Sequence, residues 1–140
     1  MYLQLDNHAA LMLILRIMLA ILFVFQGYDK VINLGMKKVT LTFQYELGSR
    51  KIPRWVVFSA AVYTSYIELI GGILLLIGLF KAYALYLLGL DLVLVTIAFS
   101  IIYPMWDMKM VLPRLVLLAA LLYLPATWDT CSLDYILNIK

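Results

Sequence analysis

Between Trp55 and Phe80 the chain reads WVVFSAAVYTSYIELIGGILLLIGLF, an apolar run long enough to cross a bilayer, with one charge, Glu68, near its middle. On insertion scales an ionised side chain at that depth costs roughly 2.5 to 3.5 kcal/mol. The pattern recurs outward along the chain: Arg16 lies within an apolar run from about Ala9 to Gln26, and Asp91 within another from Ala82 to Tyr103. Three such ions left unpaired would approach the gain from an entire apolar span, so they are expected to meet one another. Opposite charges held at matched depth in separate spans predict an all-α integral membrane four-helix bundle with a polar, charge-paired interior, and that interior is where function is to be sought.

Composition agrees. Hydrophobic residues make up 66% of the 140 residues, and the mean hydropathy of +1.01 exceeds what a soluble domain of this length could bury. A fourth run, about Met110 to Pro125, contains Arg114; it either spans with little tilt or lies partly at the interface. The chain therefore reads as one membrane domain over residues 1–140, with spans at about 9–26, 55–80, 82–103 and 110–125. Gly27 closes the first run, Pro53 and Trp55 open the second, Gly78 to Lys81 turns into the third, and Tyr103-Pro104 ends it. Pro113 falls in the first turn of the fourth run, where a missing N–H costs nothing. Trp106, Tyr123 and Trp128 fit an aromatic belt. The first run does not read as a cleaved signal peptide: Asp6 and no basic residue precedes it, and no small-x-small site follows.

The long basic loop 28–54 holds Lys30, Lys37, Lys38, Arg50, Lys51 and Arg54, with Lys109 on the same side; the opposite side offers Lys81 and Lys140. The positive-inside rule then places that loop in the cytoplasm and both termini outside, in a bacterial inner membrane. Within the loop, Val39, Leu41, Phe43 and Tyr45 alternate with polar residues at a period of two, over too few residues to separate an extended stretch from an interfacial helix.

The one histidine, His8, lies outside the spans, so neither bis-His haem nor a Glu-x-x-His di-iron centre can be built, and no intrinsic metal or haem site is expected. The one cysteine, Cys131, excludes an internal Cys-x-x-Cys relay. Gly71-Gly72 lie inside an apolar helix, so they are no phosphate or dinucleotide loop. The net charge of +3, concentrated in one loop, suits anionic lipid or a cytoplasmic partner and gives no support to nucleic-acid binding.

Helical spacing puts Arg16, Ala20, Phe23 and Gly27 on one stripe, extended by Gln26 and Lys30 at the loop entrance. Glu68, Gly71, Gly72 and Leu75 share a face, and the two glycines permit close approach of another helix. Asp91 shares a face with Leu87, Leu88, Leu94, Val95 and Ala98. The simplest arrangement is an Arg16 guanidinium forked onto Glu68, with Asp91 nearby and Arg114 arriving from the fourth helix. Arg16, Glu68 and Asp91 alone leave one carboxylate in excess, a candidate proton-accepting group unless Arg114 completes the set. The plainer reading is that such buried pairs fix register without doing chemistry. Tyr63, Tyr66, Tyr83 and Tyr86 fit a quinone or lipid contact, or simple interfacial anchoring. His8 reads as an exposed terminal residue and Cys131 as a bystander thiol, conceivably open to an intermolecular disulfide.

The run Leu15-Arg16-Ile17 through Phe23-Val24-Phe25-Gln26-Gly27-Tyr28-Asp29-Lys30-Val31 resembles the opening of the DoxX family. The block from Glu68 through Gly71-Gly72 and the leucine-rich stretch to Gly78-Leu79-Phe80-Lys81-Ala82 is similar to the family's second segment. Ser132-Leu133-Asp134 resembles its terminal Ser-Leu-Asp, so the likeness spans essentially the whole chain. It implies a small four-helix membrane protein, often a subunit or associate of redox systems such as thiosulfate:quinone oxidoreductase or quinol oxidases; a wider superfamily includes methylamine-utilisation and cargo-receptor or chaperone-like branches. By matching position it carries over Arg16, Lys30, Glu68, Gly71 and Gly72, and no agreed catalytic residue. Gln26 stands where the family often has histidine, which gives no support to a proton or metal role there, and Thr127 to Cys131 lack the family's usual glycines.

Two functions from different classes follow. In one, the chain is a redox-associated membrane subunit, at most a subunit of a quinone-linked oxidoreductase, whose Arg16, Glu68, Asp91 and Arg114 cluster binds a quinone headgroup or passes a proton, with bound quinone or lipid as its only cofactor and membrane lipids and other membrane subunits as partners. In the other, it is a non-enzymatic scaffold, assembly or chaperone-like subunit of a larger membrane complex. A small-solute or proton pathway is a weaker third reading, because 140 residues are too few for the inverted repeats of a typical secondary transporter unless the chain oligomerises.

Overall fold

The computed structural model describes residues 6–47, 52–102 and 111–137. Among these, all regular structure is helical: α1 (Asn7–Tyr28), a π-helical turn (Asp29–Leu34), α2 (Gly35–Glu46), α3 (Arg54–Ile77), α4 (Lys81–Ile102), α5 (Leu112–Tyr123), a 3₁₀ turn (Ala126–Trp128) and a last helical turn (Leu133–Ile136). Tyr103, Pro104, Trp106, Lys109, Arg50, Lys51 and Lys140 of the sequence reading lie outside the described residues.

Three helical stretches are long and apolar enough to cross a membrane, and α5 is a shorter apolar helix. With 24 and 22 residues, α3 and α4 measure about 36 and 33 Å at 1.5 Å per residue, enough for a hydrocarbon core of about 30 Å. The fourth apolar run is narrower than its hydropathy suggests, with a helix of 12 residues. The connection after Gly27 departs further from expectation. It is not a loop: α1 continues through the π turn into α2, giving one helical stretch from Asn7 to Glu46. The period-two pattern of 39–45 is overridden because α2 packs along α3 and needs only a narrow inner face, of which Val39 and Thr40 are buried.

This long stretch runs antiparallel to α3, and glycines set the spacing. A Cβ on Gly72 would lie 2.8 Å from the backbone nitrogen of Val24, and one on Gly27 would lie 2.7 Å from Leu69 Cα, so backbone meets backbone at both points. Gly71 turns to the other neighbour, where Leu88 of α4 fills the space a side chain would need. Helix α5 packs on α1 and α4, and an apolar core gathers Met12, Leu19 and Phe23 with Leu75, Leu88, Leu92 and Leu118.

At the far end of α3, Gly78 takes a left-handed conformation (φ 72°), and the Leu79 N–H returns to the Leu74 carbonyl at 2.9 Å, closing the helix as the glycine signal predicts. The following Phe80 also has positive φ (48°), unfavourable for a side chain of its size. Asp134 offsets this: its carboxylate accepts the backbone N–H groups of Phe80 and Lys81, each at 2.7 Å, and so caps the start of α4 from a distant part of the chain.

Gly27→Ala should lower stability by roughly 1–3 kcal/mol, because only backbone separation can relieve the overlap with Leu69. Gly89→Ala should be neutral or stabilising by up to about 1 kcal/mol, since its Cβ would rest 3.7 Å from Leu118 and alanine favours the helix. Thermal unfolding of both variants in detergent tests the contrast.

Candidate functional site

The antiparallel register decides which charges meet. Arg16 lies level with Gly78 at the end of α3, whereas Lys30, fourteen residues further along, reaches Glu68. The expected Arg16–Glu68 fork is therefore absent. Glu68 Oε2 accepts from Lys30 Nζ at 2.5 Å, and the Glu68 side chain is 1% exposed. Arg16 instead donates through Nη2 to the Cys131 carbonyl at 3.1 Å and faces Asp129, Nε to Oδ1, at 3.8 Å. Asp129 is shared: Lys81 Nζ donates to its Oδ2 at 2.9 Å. The physical reason is depth, for a guanidinium level with the end of α3 cannot reach a carboxylate about ten residues inside it.

Two charged layers result. In the outer one, Arg16, Lys81 and Asp129 tie α1 and the start of α4 to the tail, and Arg16 approaches the carbonyl end of α3, where a cation is favoured. Ser132 Oγ donates to the Asp129 carbonyl at 2.8 Å and receives the Tyr135 N–H at 3.2 Å, which stiffens the segment presenting Asp129 and Asp134. His8, exposed as expected, nevertheless stacks on Trp128 with centroids 4.1 Å apart. Cys131 is half-buried.

The inner layer joins Lys30, Glu68, Asp91 and Arg114. Lys30 and Arg114 both act electrostatically on the two carboxylates, which also act on each other. With two cations and two carboxylates, the set is formally neutral. Arg114, half-buried near the start of α5, lies with its guanidinium carbon 5.7 Å from the centroid of the Phe23 ring, a cation–π position that holds it over α1. Lys30 owes its aim to the π turn, which inserts an extra residue per turn and redirects the helix face before Gly35 (φ 74°) ends it.

Hydrogen bonding is incomplete in both layers: Arg16 Nε and Nη1 and Asp129 Oδ1 of the outer one are buried without a partner, and in the inner one a whole carboxylate, that of Asp91, is without one. Glu68 Oε1 and both oxygens of Asp91 are buried without a hydrogen-bond partner. So are Gln26 Oε1, one turn before Lys30, and the hydroxyl of Tyr63, which lies in the field of Asp91. Four of these five atoms only accept, so the inner site has unmet capacity for donors. Of the other tyrosines, Tyr66, Tyr83 and Tyr86 are exposed on the apolar surface, as anchors would be. Sequence reasoning missed Asp129 and Asp134, and placed Lys30 only at a loop entrance; the signal available was that these acids flank Ser132-Leu133 and are the only carboxylates of the tail.

Apolar helices of this length, enclosing buried ions, define an integral membrane protein. A family model described as DoxX matches residues 11–101, and the chain belongs to the DoxX family. The match runs from the second turn of α1 to nearly the end of α4 and so includes Arg16, Lys30, Glu68 and Asp91, while Arg114 and the Ser132-Leu133-Asp134 tail fall beyond it. No curated protein and no solved structure matches the chain.

Lys30→Met alone should destabilise by roughly 3–5 kcal/mol, because it leaves the Glu68 carboxylate buried and unpaired. A double-mutant cycle with Glu68→Gln should show coupling of about 0.5–3 kcal/mol for Lys30 and additivity within about 0.5 kcal/mol for Arg16. Unfolding free energies in detergent distinguish this assignment from an Arg16–Glu68 pair.

Proposed function

We propose that the chain is a four-helix membrane subunit of a redox or quinone-linked complex, and that its charge-paired interior handles the headgroup or proton of a quinol. The observation that carries this reading is the orphaned acceptor set: Asp91 Oδ1 and Oδ2 with Glu68 Oε1, all buried at the depth of the Lys30 contact. A carboxylate that only supported the fold would be expected to have its oxygens occupied, as both oxygens of Asp134 are. A dihydroxyaromatic headgroup, when bound, supplies O–H donors and the two-electron chemistry. The residues of this chain would do the rest. Glu68, fixed by Lys30, would orient the headgroup; Asp91, with no direct hydrogen bond to either cation, would accept a proton at Oδ1 or Oδ2; Arg114 on Phe23 would limit the local negative charge. A partner subunit is the electron carrier in this reading.

Asp91→Asn keeps the shape and removes the titratable group. Quinone-linked turnover of the native complex should fall by roughly 10²-fold or more, the range of lost acid–base catalysis, with the yield of assembled complex unchanged. Unchanged turnover at unchanged yield would leave a scaffold or assembly role as the better account, because neutralising an imperfectly paired ion is nearly silent or stabilising.

The same reading places the protein in a bacterial inner membrane with the Lys37, Lys38 and Arg54 end in the cytoplasm and both termini outside. A membrane-impermeant maleimide should then label Cys131 in intact cells. Labelling that requires lysis would reverse the orientation.

A further inference from the structure

In water a surface segment turns its charges out and its apolar side chains in; the tail from Asp129 to Leu137 does the reverse. Asp129 and Ser132 are buried, and the Asp129 carboxylate faces Arg16 and Lys81. Both oxygens of Asp134 are taken by the backbone N–H groups of Phe80 and Lys81. Leu133, Tyr135, Ile136 and Leu137 point outward instead, Ile136 with 67% of its surface exposed against 1% for Asp129. The neighbours of this turn place it. The Asp134 N–H donates to the Gly78 carbonyl at 2.9 Å, so the last helical turn lies against the connection between α3 and α4. Gly78, Leu79 and Phe80 alone make that connection, and the two helices it joins are each long and apolar enough to cross a membrane, so it lies at one face of the bilayer. Phe80 is itself exposed there and meets the exposed Tyr83 edge to face, with centroids 6.4 Å apart.

We propose that the last helical turn is a lipid-binding surface: it lies in the interfacial layer of the bilayer, with Leu133, Ile136 and Leu137 among the upper acyl chains beside Phe80. Polarity and position select this occupant. A patch this apolar on so short a segment needs cover, and lipid is already at hand where two membrane helices turn. Among its described residues the patch offers no outward charge for a protein partner to match. Tyr83 and Tyr135 join an apolar ring to a polar tip, the side chain suited to the boundary between acyl chains and water. Lipid over this turn also keeps bulk water from the Asp129 carboxylate, which strengthens its attraction to Arg16 and Lys81.

The test uses the full chain in liposomes, with a nitroxide spin label at one site in the tail. Cys131→Ser removes the one cysteine, whose backbone carbonyl and not its thiol receives Arg16, and Ile136→Cys or Leu133→Cys then carries the label. Both positions are exposed, and an unchanged melting temperature checks that each labelled variant is folded. Collisions of the label with oxygen, which concentrates in lipid, should exceed those with a water-soluble nickel chelate several-fold at both positions. The opposite order, with the chelate colliding more often, overturns the proposal, because the tail then lies in water. Protection from both reagents overturns it in favour of a protein cover, which in liposomes of the purified chain is a second copy.

Discussion

An ion buried in a membrane has to find its counter-ion at its own depth, and the Lys30–Glu68 contact is where this chain meets that constraint. It sets the register of the longest helical stretch against α3. With Lys30 opposite Glu68, Gly27 falls on Leu69 and Gly72 on Val24, so the two places where a side chain would hold the backbones apart carry none. A slip of one turn along α3 would move Lys30 off its carboxylate and bring side chains against these contacts. Electrostatics and packing select the same alignment, the agreement between levels that gives a sequence one structure.

The register divides the ions by task. Arg16, Lys81 and Asp129 lie where α3 hands over to α4, and they are joined there by the backbone cap that Asp134 provides. Each carboxylate in this outer layer is used to connect elements distant in sequence, which makes the tail a clasp on the helices. The inner layer is connected less completely. Lys30 and Glu68 hold each other, while Asp91 has charge nearby and no hydrogen bond. Low dielectric makes an under-bonded carboxylate expensive, and at the centre of α4 no hydrogen bond offsets that cost for Asp91.

Much of the architecture was legible in the residues. Spans read from hydropathy coincide with α1, α3 and α4 to within about three residues at the ends described, because an apolar run and a helix that must satisfy its own backbone in lipid are the same object. The glycine face of α3 and the stripe of Arg16, Ala20, Phe23 and Gly27 are buried as their spacing implies. The partner of each charge was not legible. Hydropathy reports which residues lie in a span but not how far one helix is shifted along its neighbour, and assuming that Arg16 lay at mid-span matched it to Glu68. The segment 28–47 misled for a related reason: its polar residues read as a loop, yet a helix packed on one side needs few buried positions, and α2 buries Val39 and Thr40.

The short fourth helix makes sense only against the inner ions. At 12 residues, about 18 Å, α5 covers roughly half the length of α3. Its Arg114 lies in the first turn, beside Pro113, where the helix dipole disfavours a cation. Two carboxylates and the face of Phe23 act against that dipole, which is worth about 0.3–1 kcal/mol for one charge. From this start at the depth of Glu68 and Asp91, the helix runs outward to Tyr123, 89% exposed, and then to the Trp128 stack on His8. A helix that begins inside the molecule delivers a cation to the interior while its far end anchors at the outer layer. The formal neutrality of the inner site thus depends on Arg114 standing at the inner end of α5: without it, Lys30 alone would face both carboxylates.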